Sequence, residues 1–215
     1  MKCLLCHSDF SPSLSFYQLF LLLPQSPRLC SSCYSKFHFI KPPHCSRCFK
    51  TGVNGICSDC RFWEDEEGII IKHQAIFTYN EAMEDYFSRY KFMGDYRLRK
   101  AFSHYFKKEK DYTIVPVPIS EKRLQERGFN QVVGFIDHLH FMPLLEKEEG
   151  LSQHTLSRNK RLQNKNTFTL KAKVKVPNKV LLIDDVYTTG RTLQHAITVL
   201  KEAGAQDVRS FSLCR

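Results

Sequence analysis

The run Val180-Leu181-Leu182-Ile183-Asp184-Asp185-Val186-Tyr187-Thr188-Thr189-Gly190-Arg191-Thr192 concentrates more chemistry than any other stretch of the chain. Its four opening apolar residues predict a strand buried on both faces, with two adjacent carboxylates at the carboxyl end. A loop of hydroxyls and one glycine follows and opens a helix. Backbone amides of such a loop, with a helix dipole behind them, make a phosphate site. Gly190 lets the backbone approach closely, and the threonine hydroxyls add donors. Asp184 and Asp185 cannot favour a phosphate. They suit ribose hydroxyls, or a magnesium ion bridging ribose and pyrophosphate.

A second chemistry lies at the other end. Eight of the nine cysteines form four Cys-x-x-Cys pairs: Cys3/Cys6, Cys30/Cys33, Cys45/Cys48 and Cys57/Cys60. Two thiolates three positions apart on a turn can face one tetrahedral ion, and two such knuckles complete a four-cysteine zinc site. The expectation is two structural zinc ions in closed sites that hold shape and do no chemistry. Sequential pairing is the simplest arrangement, and the sequence leaves an interleaved, cross-braced one open. His7, His38 and His44 are read as bystanders, and Cys214 as a buried residue of the last strand.

The elements that must position these groups follow from periodicity. Residues 69–79 read as extended and Glu81 to Phe92 as a helix, with Met83, Phe87 and Tyr90 at helical spacing. Tyr96 to Phe106 reads as a second helix and Thr113 to Pro118 as a strand entering a proline-bounded loop. Lys122 to His140 reads as helical, weakened by Gly128 and Gly134. Lys179 to Ile183, Thr192 to Ala203 and Val208 to Leu213 complete a strand–helix–strand unit. This alternation predicts an α/β fold: a parallel sheet flanked by helices, preceded by a small Cys-rich zinc module. The shift to acid at Trp63-Glu64-Asp65-Glu66-Glu67 sets the expected boundary, with a zinc module over 1–62 and the main domain over 69–215.

Composition is that of a globular protein, 42% hydrophobic and 25% charged, but the formal charge is +10. A balance this basic fits a polyanionic partner, nucleic acid first. Between Gly150 and Ile183 there is no acidic residue, while Arg158, Lys160, Arg161, Lys165, Lys171, Lys173, Lys175 and Lys179 are all basic. The stretch could close over a pyrophosphate as a cationic loop, or track a single-stranded DNA backbone with Phe168 stacking on bases. The most apolar run, Phe16 to Leu23, is far short of the ~20 residues of a membrane-spanning helix. With no visible secretory signal, the expectation is a cytoplasmic protein, able to dock onto membrane-bound machinery.

The thirteen positions from Val180 to Thr192 resemble the 5-phosphoribosyl-1-pyrophosphate (PRPP) motif of type I phosphoribosyltransferases. Further blocks are similar to those of the ComF family, closest to its ComFC-type members. These are Tyr90-Lys91-Phe92-Met93-Gly94-Asp95, Val115-Pro116-Val117-Pro118, Arg127-Gly128-Phe129-Asn130-Gln131, Gln153, and Arg161 to Phe168. The resemblance implies a double zinc ribbon fused to a phosphoribosyltransferase domain. It further implies a role in uptake of transforming single-stranded DNA, with a ComFA-type helicase as partner. Carried over by position, PRPP with Mg2+ would meet Asp184, Asp185, Val186, Thr188, Thr189, Gly190, Arg191 and Thr192, with Asp184 and Asp185 as the catalytic pair. Pro116, Val117 and Pro118 would lie near the pyrophosphate, and Lys91, Arg123, Arg127 and Gln131 would face phosphate or a polyanion. Purine-directed relatives place an acid where this chain has Thr188, which argues against a hypoxanthine-like acceptor. An active phosphoribosyltransferase with another acceptor and a PRPP-sensing regulator are the competing readings.

Overall fold

The structure, a computed structural model, describes residues 1–11, 28–148 and 167–215. In chain order the elements are α1 (Ser31–Tyr34), α2 (Ser58–Glu67), β1 (His73–Phe77), α3 (Glu81–Lys91), α4 (Arg99–Phe102), β2 (Thr113–Pro116), α5 (Glu121–Arg127) and α6 (Gln131–Ile136). They continue with β3 (Leu145–Lys147), β4 (Phe168–Leu170), β5 (Lys179–Val186), α7 (Arg191–Glu202) and β6 (Asp207–Cys214). Strands β1, β6, β5 and β2 lie in that order in one all-parallel sheet, and β3 pairs with β4 as an antiparallel ribbon. Among the described residues, no helix is long and apolar enough to cross a membrane.

β5 is the centre of the molecule, and its side chains explain the layering. Alternation sends Leu181 and Ile183 to one face and Val180 and Leu182 to the other, all 6% exposed or less. A strand read as a continuous apolar run is what a sheet covered on both sides requires. One face carries α3, α4 and α6 through Tyr86, Tyr90, Phe102 and Phe135; the other carries α7 through Leu193, Ala196, Ile197 and Leu200. Each fully buried Leu, Ile or Phe among them contributes roughly 2 kcal/mol. The cysteine knuckles divide between these faces. Cys3, Cys30 and Cys33 join the first core, and Cys45, Cys48, Cys57 and Cys60 join the second.

Helix α3 forms as its sequence dictates. Asn80 caps it by accepting from the Met83 amide, Glu81 and Glu84 occupy its first turn, and Arg89 and Lys91 its last, in the sense that favours the helix dipole. Two expected helices are broken. Residues 96–106 form a short α-helix between two 3-10 turns. The tighter winding brings residues three apart onto one face, so that Phe102 and Tyr105 both pack on Phe77, with centroids at 5.3 and 5.2 Å. The expected 122–140 helix is two, because Gly128 takes a left-handed φ of 78° and Asn130 starts afresh by accepting from the Val132 and Val133 amides. The acidic run after Trp63 is the second half of α2, which begins at the Cys57 knuckle.

Candidate functional site

β5 runs three residues further than its apolar stretch, to Val186, and so carries both carboxylates inside the sheet edge. Asp184 and Asp185 are each 6% exposed. Their side chains turn back on the chain: Asp184 Oδ1 accepts from the Asp185 amide at 2.9 Å and Asp185 Oδ1 from the Val186 amide at 3.0 Å. Lys91, at the end of α3, forms an ion pair with Asp185 Oδ2. The two acids therefore ionise differently. Burial, and then the charge of Asp185, push Asp184 well above the usual carboxylate range. Burial also opposes ionisation of Asp185, but the Lys91 ammonium beside it prevails and holds its carboxyl low. Of the two, Asp184 holds a proton more readily, and Asp185 is the one that Lys91 keeps ionised.

Other cations close round this pair. Arg127, at the end of α5, donates to Gln131 Oε1, and burial lowers its pKa against the pull of Asp185. Arg123 is exposed one turn earlier, close enough to repel Arg127. Lys147, at the end of β3, is one contributor that sequence reasoning missed. Burial lowers its pKa while Asp184 raises it, and its ammonium lies 5.0 Å from the centre of the Phe168 ring. His195 of α7, near Arg191 and Lys147, is held neutral, its pKa lowered to about 4 chiefly by burial. Pro116 stands opposite Ile183 in the sheet, and the Val117 amide donates to Ile183 O at 2.8 Å. This registers the Pro116-Val117-Pro118 turn beside Asp184.

The loop from Thr188 to Thr192 leaves β5 beneath Tyr187 and enters α7. Gly190 is its N-cap, with φ of 83°, and a side chain there would run into the Tyr187 hydroxyl. Two side chains from outside the loop hold its carbonyls. Trp63 Nε1 of α2 donates to Thr189 O at 3.2 Å, and Arg215 Nη1 donates to Thr188 O at 2.9 Å. A trans peptide sets its N–H opposite its C=O, so the Thr189 and Gly190 amides point the other way. Neither meets an acceptor among the described residues. The structure thus brings together Asp184, Asp185, Lys91, Arg123, Arg127, Pro116, Val117, Pro118 and the loop.

The basic stretch divides. Arg158, Lys160, Arg161 and Lys165 lie outside the described residues, as do Gln153 and the apolar run 16–23. Lys171 is half-buried after β4, and Lys173 and Lys175 are exposed. Phe168, expected to offer a stacking face, is 4% exposed and lies under Lys147 instead. Its position in the β3–β4 ribbon turns it into the core beside Leu145 and Leu193.

The cysteines assemble into Cys3, Cys6, Cys30, Cys33 and Cys45, Cys48, Cys57, Cys60, the sequential arrangement, with the sulfurs of each set within 4.8 Å of one another. The sulfur separations are 3.7 Å for Cys6–Cys30, 3.6 Å for Cys48–Cys57 and 3.9 Å for Cys45–Cys60. A tetrahedron of ~2.3 Å zinc–sulfur bonds has edges of about 3.8 Å, so both sets fit zinc. Amide donors to sulfur, from Cys30 to Cys3 and from Cys57 to Cys45, suit thiolate ligands. His7, His38 and His44 belong to neither set.

An acidic pair and a donor loop at the carboxyl edge of a parallel sheet define a phosphoribosyltransferase-type domain, and the phosphoribosyl transferase domain model matches residues 147–215. The chain is 45% identical to Competence protein ComFC of Streptococcus pneumoniae, covering 100% of both proteins. It is 34% identical to Competence protein ComFC of Bacillus subtilis, over 99% of this chain and 94% of that one. Competence protein F of Haemophilus influenzae is 26% identical, over 86% of this chain and 96% of that one. The chain belongs to the ComFC family of competence proteins.

Proposed function

We propose that this chain is a cytoplasmic competence accessory protein that binds PRPP with Mg2+ at the edge of its sheet. The unpartnered Thr189 and Gly190 amides, in the loop that follows an acidic pair attended by cations, carry this reading. In it the loop amides and the Thr188, Thr189 and Thr192 hydroxyls take a phosphate at the α7 N-terminus, with Val186 and Arg191 framing the loop. Asp184 and Asp185 receive the ribose hydroxyls or the magnesium ion that bridges ribose and pyrophosphate. The pyrophosphate lies by the Pro116-Val117-Pro118 turn, within reach of Lys91, Arg123, Arg127 and Lys147. Zinc ions occupy the two cysteine sets of a module over 1–62, and the site belongs to a domain over 69–215.

Calorimetric titration with PRPP and magnesium tests the reading, with Asp184→Asn/Asp185→Asn as control. Binding that the double variant lacks supports a working site; no binding to either chain overturns it. Release of pyrophosphate with added nucleobases would then mark a transferase, and its absence a sensor of PRPP.

The handling of transforming DNA rests on the competence names of the relatives and on charge. We read Lys171, Lys173 and Lys175, with Arg158, Lys160, Arg161 and Lys165, as a surface for single-stranded DNA passed to or from a ComFA-type helicase. Changing Lys173 and Lys175 to Glu should weaken binding to an unstructured oligonucleotide and flatten its salt dependence by about one unit of slope per lost contact. If PRPP affinity collapses instead, the stretch belongs to the anion site.

A further inference from the structure

The second cysteine set and the loop are mechanically joined. Arg215 is the joint: its side chain is 9% exposed, and it spans from one to the other. Nη2 donates to Cys48 Sγ at 3.3 Å and lies 3.6 Å from Asp59 Oδ2, while Nη1 donates to Thr188 O at 2.9 Å. Its guanidinium lies 4.7 Å from the centre of the Tyr187 ring, the ring against which Gly190 is packed. A second tie runs parallel to it. Helix α2 contains Cys60, starts from Cys57, and carries Trp63, whose indole donates to Thr189 O at 3.2 Å. Lys50–Asp59 and Arg47–Glu64 pairs fix α2 to the Cys45/Cys48 knuckle. Two successive loop carbonyls are therefore held by side chains that also meet the second cysteine set, the Arg215 guanidinium through Cys48 and Asp59 and the Trp63 indole through α2, while the Arg215 backbone is pinned to Phe77 and Tyr79.

We propose that metal at Cys45, Cys48, Cys57 and Cys60 sets the anion-binding form of the loop, with Arg215 and Trp63 as its positioning residues. The proposal rests on the PRPP reading above. With both carbonyls held by Trp63 and Arg215, the N–H groups of the Thr189 and Gly190 residues face away from those two side chains. Without the metal the knuckles lose their common centre, the Arg215 guanidinium loses its fixed partners Cys48 and Asp59, α2 with Trp63 loses its anchor at Cys57 and Cys60, and the two peptides are less constrained. Binding at the two places is then linked, and linkage is reciprocal: a ligand that needs the ordered loop must tighten the metal. The first cysteine set, whose core is on the other face of the sheet, has no such tie to the loop among the described residues.

The test uses the full zinc-loaded chain and the variants Arg215→Lys, Arg215→Ala and Trp63→Phe. These leave all eight cysteines in place, and two zinc ions per chain with unchanged circular dichroism show that the fold survives. PRPP affinity with magnesium is measured by calorimetry, and zinc loss to a colorimetric chelator is timed with and without PRPP. Loss of one hydrogen bond to a loop carbonyl should weaken PRPP about tenfold in Arg215→Ala and Trp63→Phe, and less in Arg215→Lys. In the parent chain PRPP should slow the release of one zinc of the two, and that protection should shrink in Arg215→Ala. A merely structural role for these residues would not move the protection. If the parent chain binds PRPP but the variants match it, or if PRPP protects neither zinc, the coupling is wrong and the PRPP reading stands. If the parent chain itself does not bind PRPP, both fall.

Discussion

Lys91 at the end of α3 is ion-paired with Asp185 at the end of β5, and the pairing decides how two adjacent buried acids share charge. The side chains are 17% and 8% exposed, so the pair is screened little. Changing Lys91 to Met leaves Asp185 with an uncompensated buried charge. The expected cost is about 3 kcal/mol of unfolding free energy, from denaturant titration. The double change Lys91→Met/Asp185→Asn should recover most of it, and a coupling energy near zero across the cycle would remove the pair from the account of the site.

Asp184 gives the opposite pH signature. Its folded pKa is raised by burial and by Asp185, so the folded chain holds a proton that the unfolded chain releases near pH 4. That stabilising contribution is complete below the unfolded value and is lost as pH rises toward the folded one. Asp184→Asn cannot lose it. In the absence of ligand, the melting temperature of Asp184→Asn should therefore exceed that of the parent chain by an amount that grows from pH 4 upward, reaching about 2–4 °C per kcal/mol. A difference independent of pH would mean that Asp184 is not forced to hold a proton. The variant should bind PRPP poorly, which places the acid among groups kept for function at a cost in stability.

Much of this site is legible in sequence because its chemistry is local. Asp184, Asp185 and the Thr188–Thr192 loop adjoin one another along one strand–loop–helix unit, so spacing alone places them. The cysteine pairs are legible for the same reason, although only the fold selects sequential over interleaved sets. Lys147, Trp63 and Arg215 are not legible. Each reaches the site across the tertiary structure, from a ribbon strand, a metal-module helix and the residue after the last sheet strand, and none sits in a pattern that announces it. The broken 96–106 helix has the same origin, since packing of Phe102 and Tyr105 on Phe77 overrides a helical spacing.

Gly190 is the loop's least replaceable residue. Alanine there would have to adopt a φ of 83° and would displace the Tyr187 ring, which is itself held under the Arg215 guanidinium and against His73. The backbone strain alone is on the order of 1 kcal/mol, and movement of Tyr187 adds to it. Gly190→Ala should lower the melting temperature and reduce PRPP affinity at least tenfold. Tyr187→Phe removes only the hydroxyl and should not rescue it, because the ring carbon behind that oxygen is also within 2.6 Å of the added methyl. Near-normal binding by Gly190→Ala would mean that the loop does not approach phosphate through its backbone.

The two cysteine sets should part with metal at different rates. Cys6 is exposed and its thiol is lowered to about 6, chiefly by the Ser8 hydroxyl, whereas all four cysteines of the second set are 3% exposed or less. A chelator reaches the first ion past Cys6 but must wait for the second set to open. Zinc release from the purified chain should be biphasic with equal amplitudes, totalling two ions per chain. Cys6→Ser should abolish or accelerate the fast phase and leave the slow phase unchanged. The slow phase should coincide with loss of PRPP binding, and the fast phase should not. A single phase, or a total of one ion, would show that the two sets do not behave as separate metal sites.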